Sequence, residues 1–339
     1  MKIDFGITLG IDLGTSTVLI YNKNKGVVLS DMSIVAVNKD TDEILNVGES
    51  AYGLLGRTTG NVVAIKPLRD GVISDYEITK KMLKTFVDRA TSSNNISRIL
   101  FRPSIVICVP CGITEVEKRA VVMAAEYCGA RKTFILEEPV AAALGAGLDI
   151  SKPCGSMIVD IGGGTTDVAV ISMGGIVESS SVKIAGDKFD EAIVRFLRKR
   201  FNILIGDRTA ENIKIRIGTL SSPSKDDTID VRGRNTATGL PMSVKVSAEE
   251  LYEPLNEVAD TITDTVCMVL EKIPPELSAD ISERGIIMTG GAARLKGLDK
   301  YLQNRTGIRV IVADEPEMCV AKGTGVAMDN LSELSKRAE

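Results

Sequence analysis

The sequence predicts an α/β protein made of two internally repeated halves, each with its elements in mixed βββαβα order. The stretch from Met157 to Ile171 has two apolar runs joined by glycines, which is typical of a β-hairpin. Residues 9–20 repeat this pattern half a chain earlier, and repeated units of this kind indicate an internal duplication. With 339 residues, the chain is also too long for one ordinary core. We therefore expect two related domains.

Each predicted hairpin combines an acid, glycines and small hydroxyl residues at its turn. Glycine lets a ligand approach the backbone closely, and backbone amides with threonine hydroxyls can hold phosphate oxygens. A carboxylate beside such a turn suits a hydrated Mg²⁺. One hairpin alone could merely reverse the chain, but two similar hairpins favour a polyphosphate held from both sides. The residues concerned are Asp12, Gly14, Thr15, Ser16 and Thr17 in the first hairpin, and Asp160, Gly162, Gly163, Gly164, Thr165 and Thr166 in the second.

Composition excludes several classes of site. The chain has no histidine, which removes Ser-His-Asp triads and His-ligated metal sites. Its net charge of −4 argues against a general nucleic-acid binder. Cys108 and Cys111 form a CxxC without a second pair, so we interpret the six cysteines as reduced, apolar residues of a cytosolic protein rather than zinc ligands. No apolar run approaches 18 residues, and we expect no membrane-spanning segment.

Capping signals place several helices. Ser74 with Glu77 predicts a helix to about Thr91, and Thr114 with Glu117 predicts another that runs to Gly129. Ser247 with Glu250 predicts a long helix that ends before the pair of prolines at 274–275. Further helices are expected over 190–201 and 208–218.

Two further stretches carry candidate functional residues. Residues 136–148 begin a helix near Pro139, and their alanines and glycines allow a neighbouring element to approach closely, either at a hinge or as plain packing. The glycine-rich turn Gly290–Gly291 follows a strand and opens a helix, where backbone amides favour an anion. Glu211 and Lys214, one helical turn apart, read by themselves as an ordinary surface ion pair.

Taken together, these motifs resemble the actin, sugar-kinase and heat-shock-chaperone ATPase superfamily, and within it the MreB family of bacterial actin homologues. The resemblance covers nearly the whole chain. Its longest parts are DLGT at 12–15, EEPVAAALGAGL at 137–148, VDIGGGTTDVAVIS at 159–172, GGIV at 174–177, AENIKIRIG at 210–218, TGLP at 238–241 and the turn at 289–293. Small departures from the family pattern occur at Ser16, Thr17, Asp167 and Ala292.

The resemblance implies an actin-like fold with two duplicated ribonuclease-H-like domains, each with a smaller subdomain, and ATP or ADP with Mg²⁺ in the cleft between. Domain I would take residues 1–150 plus 320–339, with a small subdomain at about 33–75. Domain II would take residues 151–319, with a small subdomain at about 188–247.

It also implies site roles. Gly14, Thr15, Ser16 and Thr17 would hold phosphates from one side, and Gly162 to Thr165 from the other. Asp12 and Asp160 would position Mg²⁺ through its waters, with Asp160 also counted as catalytic, and Glu138 would orient the attacking water. The remaining implied nucleotide contacts are Gly186, Glu211, Asn212, Ile213, Lys214, Gly290, Gly291, Ala292 and Ala293.

The function implied is an ATP-hydrolysing cytoskeletal protein that polymerises into paired, membrane-associated protofilaments and governs cell shape. Its partners would be further copies of itself, the inner face of the cell membrane and other membrane or cell-shape proteins, with no nucleic acid. Two alternatives share the superfamily. A small-molecule kinase would need an acceptor pocket with a separate carboxylate base, and a chaperone would normally need a C-terminal substrate domain.

One short apolar segment predicts a membrane contact. Ile99, Leu100 and Phe101 lie between Arg98 and Arg102 in a predicted loop. Apolar side chains at the acyl boundary with arginines at anionic headgroups are the arrangement of a peripheral binder. The alternative is that the triplet packs under the neighbouring helix.

Overall fold

The computed structural model describes residues 8–57, 60–91 and 102–329. The chain divides into two compact units. The first unit comprises Met1–Pro153, Ile171–Ile176 and Glu317–Glu339, and the second comprises Cys154–Val170 and Val177–Pro316. Within the described ranges, no helix has the length and apolar character needed to cross a membrane.

The first part of the chain, up to residue 145, contains ten strands and four helices among its described residues. In chain order they are β1 (Thr8–Leu13), β2 (Thr17–Asn22), β3 (Gly26–Met32), β4 (Val35–Asn38), β5 (Glu43–Val47), α1 (Glu49–Tyr52), β6 (Val62–Ile65), β7 (Leu68–Arg69), β8 (Val72–Ile73), α2 (Tyr76–Thr91), β9 (Ser104–Val109), α3 (Glu115–Tyr127), β10 (Lys132–Glu137) and α4 (Glu138–Gly145).

The rest of the chain contains eight strands and six α-helices among its described residues. They are β11 (Ser156–Ile161), β12 (Thr166–Ser172), β13 (Gly175–Val182), α5 (Gly186–Phe201), β14 (Ile203–Leu204), α6 (Asp207–Ile217), β15 (Thr228–Asn235), β16 (Pro241–Ser247), α7 (Ala248–Lys272), α8 (Pro275–Arg284), β17 (Ile286–Thr289), α9 (Leu298–Thr306), β18 (Val310–Val312) and α10 (Cys319–Asp329). A short 3₁₀ turn, Gly291–Arg294, follows β17.

The two large sheets have the same topology. One has the order β10-β9-β1-β2-β3, and the other has the order β18-β17-β11-β12-β13. Counted along the chain, both run fifth, fourth, first, second, third. In both, the first strand pairs in parallel with the fourth, and the fourth with the fifth. The predicted internal duplication is confirmed by this shared order.

Interior strands of both large sheets are buried on both faces. All six residues of β9 and of β11 are buried, and these strands are apolar on both faces except at a few polar positions. A strand covered on both faces reads as a nearly continuous apolar run, which is what both sequences show. Two smaller three-stranded sheets, β5-β4-β6 and β14-β15-β16, stand apart from the large ones.

Helix α4 packs against α10 inside the first unit at unusually close range. A Cβ added at Gly145 would lie 1.8 Å from the Cys319 carbonyl oxygen, and one added at Gly323 would lie 1.7 Å from the Ala141 carbonyl oxygen. The prediction that residues 136–148 admit a close neighbour is therefore confirmed, and that neighbour is α10.

Helix capping follows the sequence in two cases and departs from it in a third. Thr114 and Ser247 each form a capping box with the glutamate three residues later, as predicted. Helix α2 differs: the Asp75 carboxylate accepts from the Ile78 amide, while the Ser74 hydroxyl donates to the Pro67 carbonyl. The Ser74 prediction is wrong because a contact seven residues back along the chain takes its side chain.

Candidate functional site

The second glycine hairpin lies between β11 and β12 in the second unit. The turn is closed by a hydrogen bond of 2.9 Å from the Gly162 amide to the Thr165 carbonyl. Thr166 is fully buried, and its hydroxyl donates to the Ile184 carbonyl at 2.6 Å. The Thr166 hydroxyl thus anchors the turn to residue 184. The glycines of the turn have no side chains that could cover their backbone amides. Glycine amides and threonine hydroxyls in one turn are the groups that the sequence predicts to hold phosphate oxygens.

Asp160 is the penultimate residue of β11, just before this turn, and only 5% of it is exposed. The Thr289 hydroxyl, at the end of the neighbouring strand β17, donates to Asp160 Oδ1 at 2.7 Å. Burial raises the pKa of the Asp160 carboxyl to about 7; the charge of Asp167 adds to this rise, and the Thr289 hydrogen bond opposes it. A buried carboxyl of this kind is stabilised in its ionised form by a nearby cation.

These residues fit the Mg²⁺ that the resemblance implies. Among the described parts of the chain, no three Asp, Glu or Cys side chains come close enough to form a metal-binding group by themselves. Mg²⁺ characteristically keeps several waters and uses one or two carboxylates together with substrate phosphates. Asp160 in the second unit and Asp12, half-buried at the end of β1 in the first, are carboxylates of the type required.

Helix α5 braces the glycine hairpin. The Gly186 amide donates to the Gly162 carbonyl at 3.1 Å, and the Asp187 amide donates to the Gly163 carbonyl at 2.8 Å. A Cβ at Gly186 would lie 3.2 Å from the Gly162 oxygen, which is tighter than most Cβ contacts. The structure therefore places Gly186 against the predicted phosphate turn, and its lack of a side chain is what permits the approach.

Lys214, on α6, makes two contacts at the base of this arrangement. Its Nζ donates to the Gly186 carbonyl and to Asp190 Oδ2, both at 2.9 Å. The helical spacing alone predicts an ion pair between Lys214 and Glu211. In the structure, Lys214 instead pairs with Asp190 on α5. Its charge is directed instead towards α5.

A pocket of about 330 Å³ opens beside Lys214 in the second unit. Pockets that bind drug-sized ligands typically have volumes of about 300–1,000 Å³. One wall is residues 214–219 and another is the turn at 291–296, with Phe189 and Asp227 completing the lining. Three of the predicted nucleotide contacts, Lys214, Gly291 and Ala292, therefore line this pocket. Arg216, Arg294 and Lys296 add positive charge to the lining.

Gly290 is needed for this turn to reach the hairpin strand. Its φ of +84° is a conformation that residues with side chains rarely adopt, and a Cβ there would lie 2.2 Å from the Ile161 carbonyl oxygen. Gly290 thus shapes the pocket without lining it. The side chains of Ile213 and Ala293 are buried in the hydrophobic core and do not line it either. Glu211 and Asn212 are also outside the lining, and Asn212 is exposed.

The pocket contains residues that sequence reasoning missed. Phe189, Thr219, Asp227, Arg294 and Lys296 all line it. Arg294 and Lys296 follow the glycine turn directly, and two cations after an anion-binding turn were a usable signal. Phe189 and Asp227 carry no such signal, because their place in the pocket depends on tertiary packing.

The first hairpin occupies the corresponding position in the first unit. A Cβ at Gly14 would lie 2.7 Å from the Thr17 carbonyl oxygen, so the turn requires glycine. Thr15 is buried, and its Oγ1 accepts a hydrogen bond of 3.0 Å from the Gly71 amide. Its hydroxyl hydrogen remains available to donate. Ser16 and Thr17 are half-buried beside it.

Glu138 begins α4 in the first unit, immediately after β10. It is half-buried, whereas Glu137 before it is exposed and makes no side-chain capping hydrogen bond. Pro139 occupies the first turn, as predicted, where a missing amide hydrogen costs the helix nothing. The predicted membrane residues Ile99, Leu100 and Phe101 lie outside the described residues.

The family model described as MreB/Mbl protein matches residues 6–336. The chain belongs to the MreB/Mbl family. It is 49% identical over 333 residues to the cell shape-determining protein Mbl of Bacillus subtilis, covering 98% of this chain and 99% of that protein. It is 48% identical over 329 residues to the cell shape-determining protein MreB of Escherichia coli K12, covering 96% and 94% respectively.

Solved structures agree with this MreB/Mbl assignment. MreB5 of Spiroplasma citri bound to AMPPNP superposes with a TM-score of 0.92 at 37% identity, covering 99% of this chain and 100% of that one. The same protein bound to ADP gives a TM-score of 0.91. A MamK double helical filament gives a TM-score of 0.79 at 21% identity over 95% of this chain and 98% of that one, which supports the fold. The predicted actin-like α/β fold is confirmed.

Proposed function

We propose that this chain is an ATPase of the bacterial actin-like cytoskeleton, which binds ATP or ADP with Mg²⁺ and polymerises into filaments that govern cell shape. The observation that carries the proposal is the arrangement in the second unit. There, the same unit contains a glycine hairpin, a buried carboxyl next to the hairpin turn and a pocket lined by cationic side chains. Related proteins of known structure contain AMPPNP or ADP, and related curated proteins are called cell shape-determining.

Each part of the arrangement has a role in nucleotide binding. The amides of the turn at 162–165 would hold phosphate oxygens, with the first hairpin contributing Gly14, Thr15, Ser16 and Thr17. The pocket beside Lys214 and Ala292 would take the ribose and base. Asp12 and Asp160 would hold Mg²⁺ through its waters, and the ion when bound would neutralise charge on the phosphates.

Hydrolysis would proceed by in-line attack of water on the γ-phosphorus. The new bond forms between the water oxygen and that phosphorus, the bond to the β,γ-bridging oxygen breaks, and ADP and inorganic phosphate are released. Glu138 would accept a hydrogen bond from the attacking water and so orient it. Positioning and charge stabilisation supply most of the acceleration in reactions of this type.

The family resemblance favours a filament over the two other superfamily functions. A small-molecule kinase needs an acceptor site with its own carboxylate base, and the sequence shows no such residue apart from Glu138, which would orient water. The structural likeness to a MamK filament concerns the fold alone, but the relatives named for cell shape are similar over almost their entire length. A contact between subunits that repeats by translation does not close and so generates a filament.

High-speed sedimentation tests the proposed function. We expect the wild-type chain to pellet in the presence of Mg²⁺ and ATP and to remain largely in the supernatant without nucleotide. Asp160→Ala should lose the nucleotide-dependent increment, because it removes the buried carboxylate at the metal site. Asp149→Ala removes an exposed acid that pairs with Lys152 and is the matched control. Electron microscopy that finds only monomers or closed rings under all nucleotide conditions would refute the filament.

We further propose that the filament lies at the inner face of the cell membrane and contacts it through Ile99, Leu100 and Phe101. The support comes from sequence, together with the exposed Arg102 that follows the triplet. One apolar triplet supplies a few kcal/mol at most, at about 25 cal/mol per Å² of buried apolar area. A single chain should therefore bind weakly, whereas a filament gains by presenting many copies.

Co-sedimentation with anionic vesicles tests this contact. Replacement of all three residues by serine should abolish most vesicle binding and leave ATP-dependent pelleting without vesicles intact. Leu240→Ser, at an exposed turn of the second unit, is the control for loss of one surface apolar residue. Equal vesicle binding by the triple variant and the wild type would remove this segment as the membrane contact.

A further inference from the structure

Asp190 and Lys214 form a nearly buried ion pair in the second unit. Their side chains are 13% and 14% exposed, and the Nζ to Oδ2 distance is 2.9 Å. Other ion pairs on these helices differ in kind: Lys188 and Glu191, one turn apart on α5, are 31% and 53% exposed. Exposed pairs contribute little, whereas removing one partner of a buried pair has a large effect because the other charge is left uncompensated.

The ion pair is connected to the glycine hairpin through one carbonyl. Lys214 also donates to the Gly186 carbonyl, and the Gly186 amide in turn donates to Gly162 in the turn. Lysine has three N–H donors, and these contacts use two of them. Lys214 also lines the pocket, and its third N–H makes no hydrogen bond to the described residues, so it can serve a ligand there. The lysine therefore joins α5, α6, the hairpin and the pocket.

Burying the charged Asp190 carboxylate beside Lys214 costs free energy. Burial raises the pKa of the Asp190 carboxyl to about 6; the Lys214 charge and hydrogen bond oppose the rise, and the charges of Glu211 and Asp187 add to it. Its second oxygen, Oδ1, is buried and has no hydrogen-bond partner among the described residues. A carboxylate at the surface could neutralise a lysine without the free-energy cost of burying both charges. The buried position of Asp190 therefore indicates a role beyond neutralising charge.

We propose that Asp190 is a positioning residue for nucleotide binding. It holds the Lys214 ammonium group against the Gly186 carbonyl, and this fixes both the third N–H of Lys214 at the pocket and the support of the glycine hairpin. The inference rests on the proposed function, since it names the residue that orders the same nucleotide site. Asp190 itself lies outside the pocket lining and acts through Lys214.

The test is the dissociation constant for Mg·ATP, measured by calorimetry for wild type, Asp190→Asn, Lys214→Met and the double variant. At about pH 8, Asp190→Asn should weaken binding about tenfold, the size of one charge-assisted hydrogen bond. In the Lys214→Met background the same substitution should have no further effect, because Asp190 acts through the lysine. Glu191→Gln, which breaks the exposed pair on the same helix, should bind like wild type.

A pH series separates positioning from a merely structural role. The Asp190 carboxyl is ionised only above its raised pKa. Its ion pair with Lys214 is therefore present at high pH and lost as the pH falls through about 6. The ratio of the two dissociation constants, Asp190→Asn over wild type, should therefore approach one at about pH 5. Forming this ratio cancels pH effects common to both proteins, including those of Asp160.

Three outcomes would overturn the inference. The first is unchanged binding by folded Asp190→Asn while wild type binds Mg·ATP. The second is an equal loss from Asp190→Asn with and without Lys214. If circular dichroism shows that Asp190→Asn does not fold, wild type is compared with Lys214→Met instead. In that case the third outcome is an identical pH dependence of the Mg·ATP dissociation constant in these two proteins. A wild-type chain that binds no nucleotide would refute the proposed function itself.

Discussion

Replacement of Glu138 by alanine is expected to slow steady-state ATP hydrolysis by about a hundredfold or more, since a positioned acid–base group contributes about 10²–10⁴ to a rate. The dissociation constant for Mg·ATP should stay within a few-fold of wild type. The carboxylate would orient the attacking water and would not hold the nucleotide, so the loss falls on the chemical step. Phosphate release under saturating ATP measures the first quantity, and equilibrium titration measures the second.

Glu137 provides a matched control for this substitution. It is the adjacent residue with the same side chain, but it is exposed and makes no capping hydrogen bond. Glu137→Ala should hydrolyse ATP at nearly the wild-type rate. Unchanged hydrolysis in Glu138→Ala would remove this residue from the catalytic assignment, and an equal loss in both variants would show that the effect belongs to the start of α4 in general.

The second large effect concerns the packing of α4 against α10. Gly323→Ala should lower the free energy of unfolding by about 3 kcal/mol, at the upper end of what overpacking usually costs. The added methyl group would meet the Ala141 carbonyl oxygen at 1.7 Å, and a helix backbone cannot turn aside as a flexible side chain can. Urea denaturation followed by circular dichroism gives the difference from wild type.

Gly53→Ala is the control for the effect of a glycine-to-alanine change as such. Gly53 has an ordinary helical φ of −59°, and its added Cβ would meet nothing closer than 3.7 Å. We expect its stability to match wild type or slightly exceed it, because alanine restricts the unfolded chain. If Gly323→Ala unfolds at the same urea concentration as Gly53→Ala, the two helices must be able to separate without loss, and the close packing is not stabilising.

Local sequence was sufficient for the parts of the fold that depend on neighbouring residues. The two hairpins follow from apolar runs flanking glycines, and the capping boxes at Thr114 and Ser247 follow from a hydroxyl and a glutamate three residues apart. The sequence pattern predicts the start of α5 at Asp190, about four residues too late. The helix begins at Gly186 because the carbonyls of the glycine hairpin accept from its first amides, and that contact spans 24 residues of chain.

The candidate site shows the same division. The sequence pattern includes Lys214, Gly291 and Ala292, which do line the pocket. It also includes Glu211, Asn212 and Ile213 on the same helix as Lys214. The pocket lies at the C-terminal end of that helix, where residues 214–217 line it, whereas residues 211–213 belong to the preceding turn. The partner of Lys214 is equally hidden from sequence, because Asp190 comes from a different helix and Glu211 offers the nearer charge.

The most direct test of the central claim, that this chain binds ATP through its glycine hairpin, is an experimental structure of the chain with Mg²⁺ and AMPPNP. We expect the phosphates at the amides of Gly162–Thr165, the base and ribose in the pocket beside Lys214 and Ala292, and the metal near Asp160 through water. A structure in which the nucleotide lies elsewhere, or in which this hairpin and pocket remain empty at saturating AMPPNP, would contradict the account.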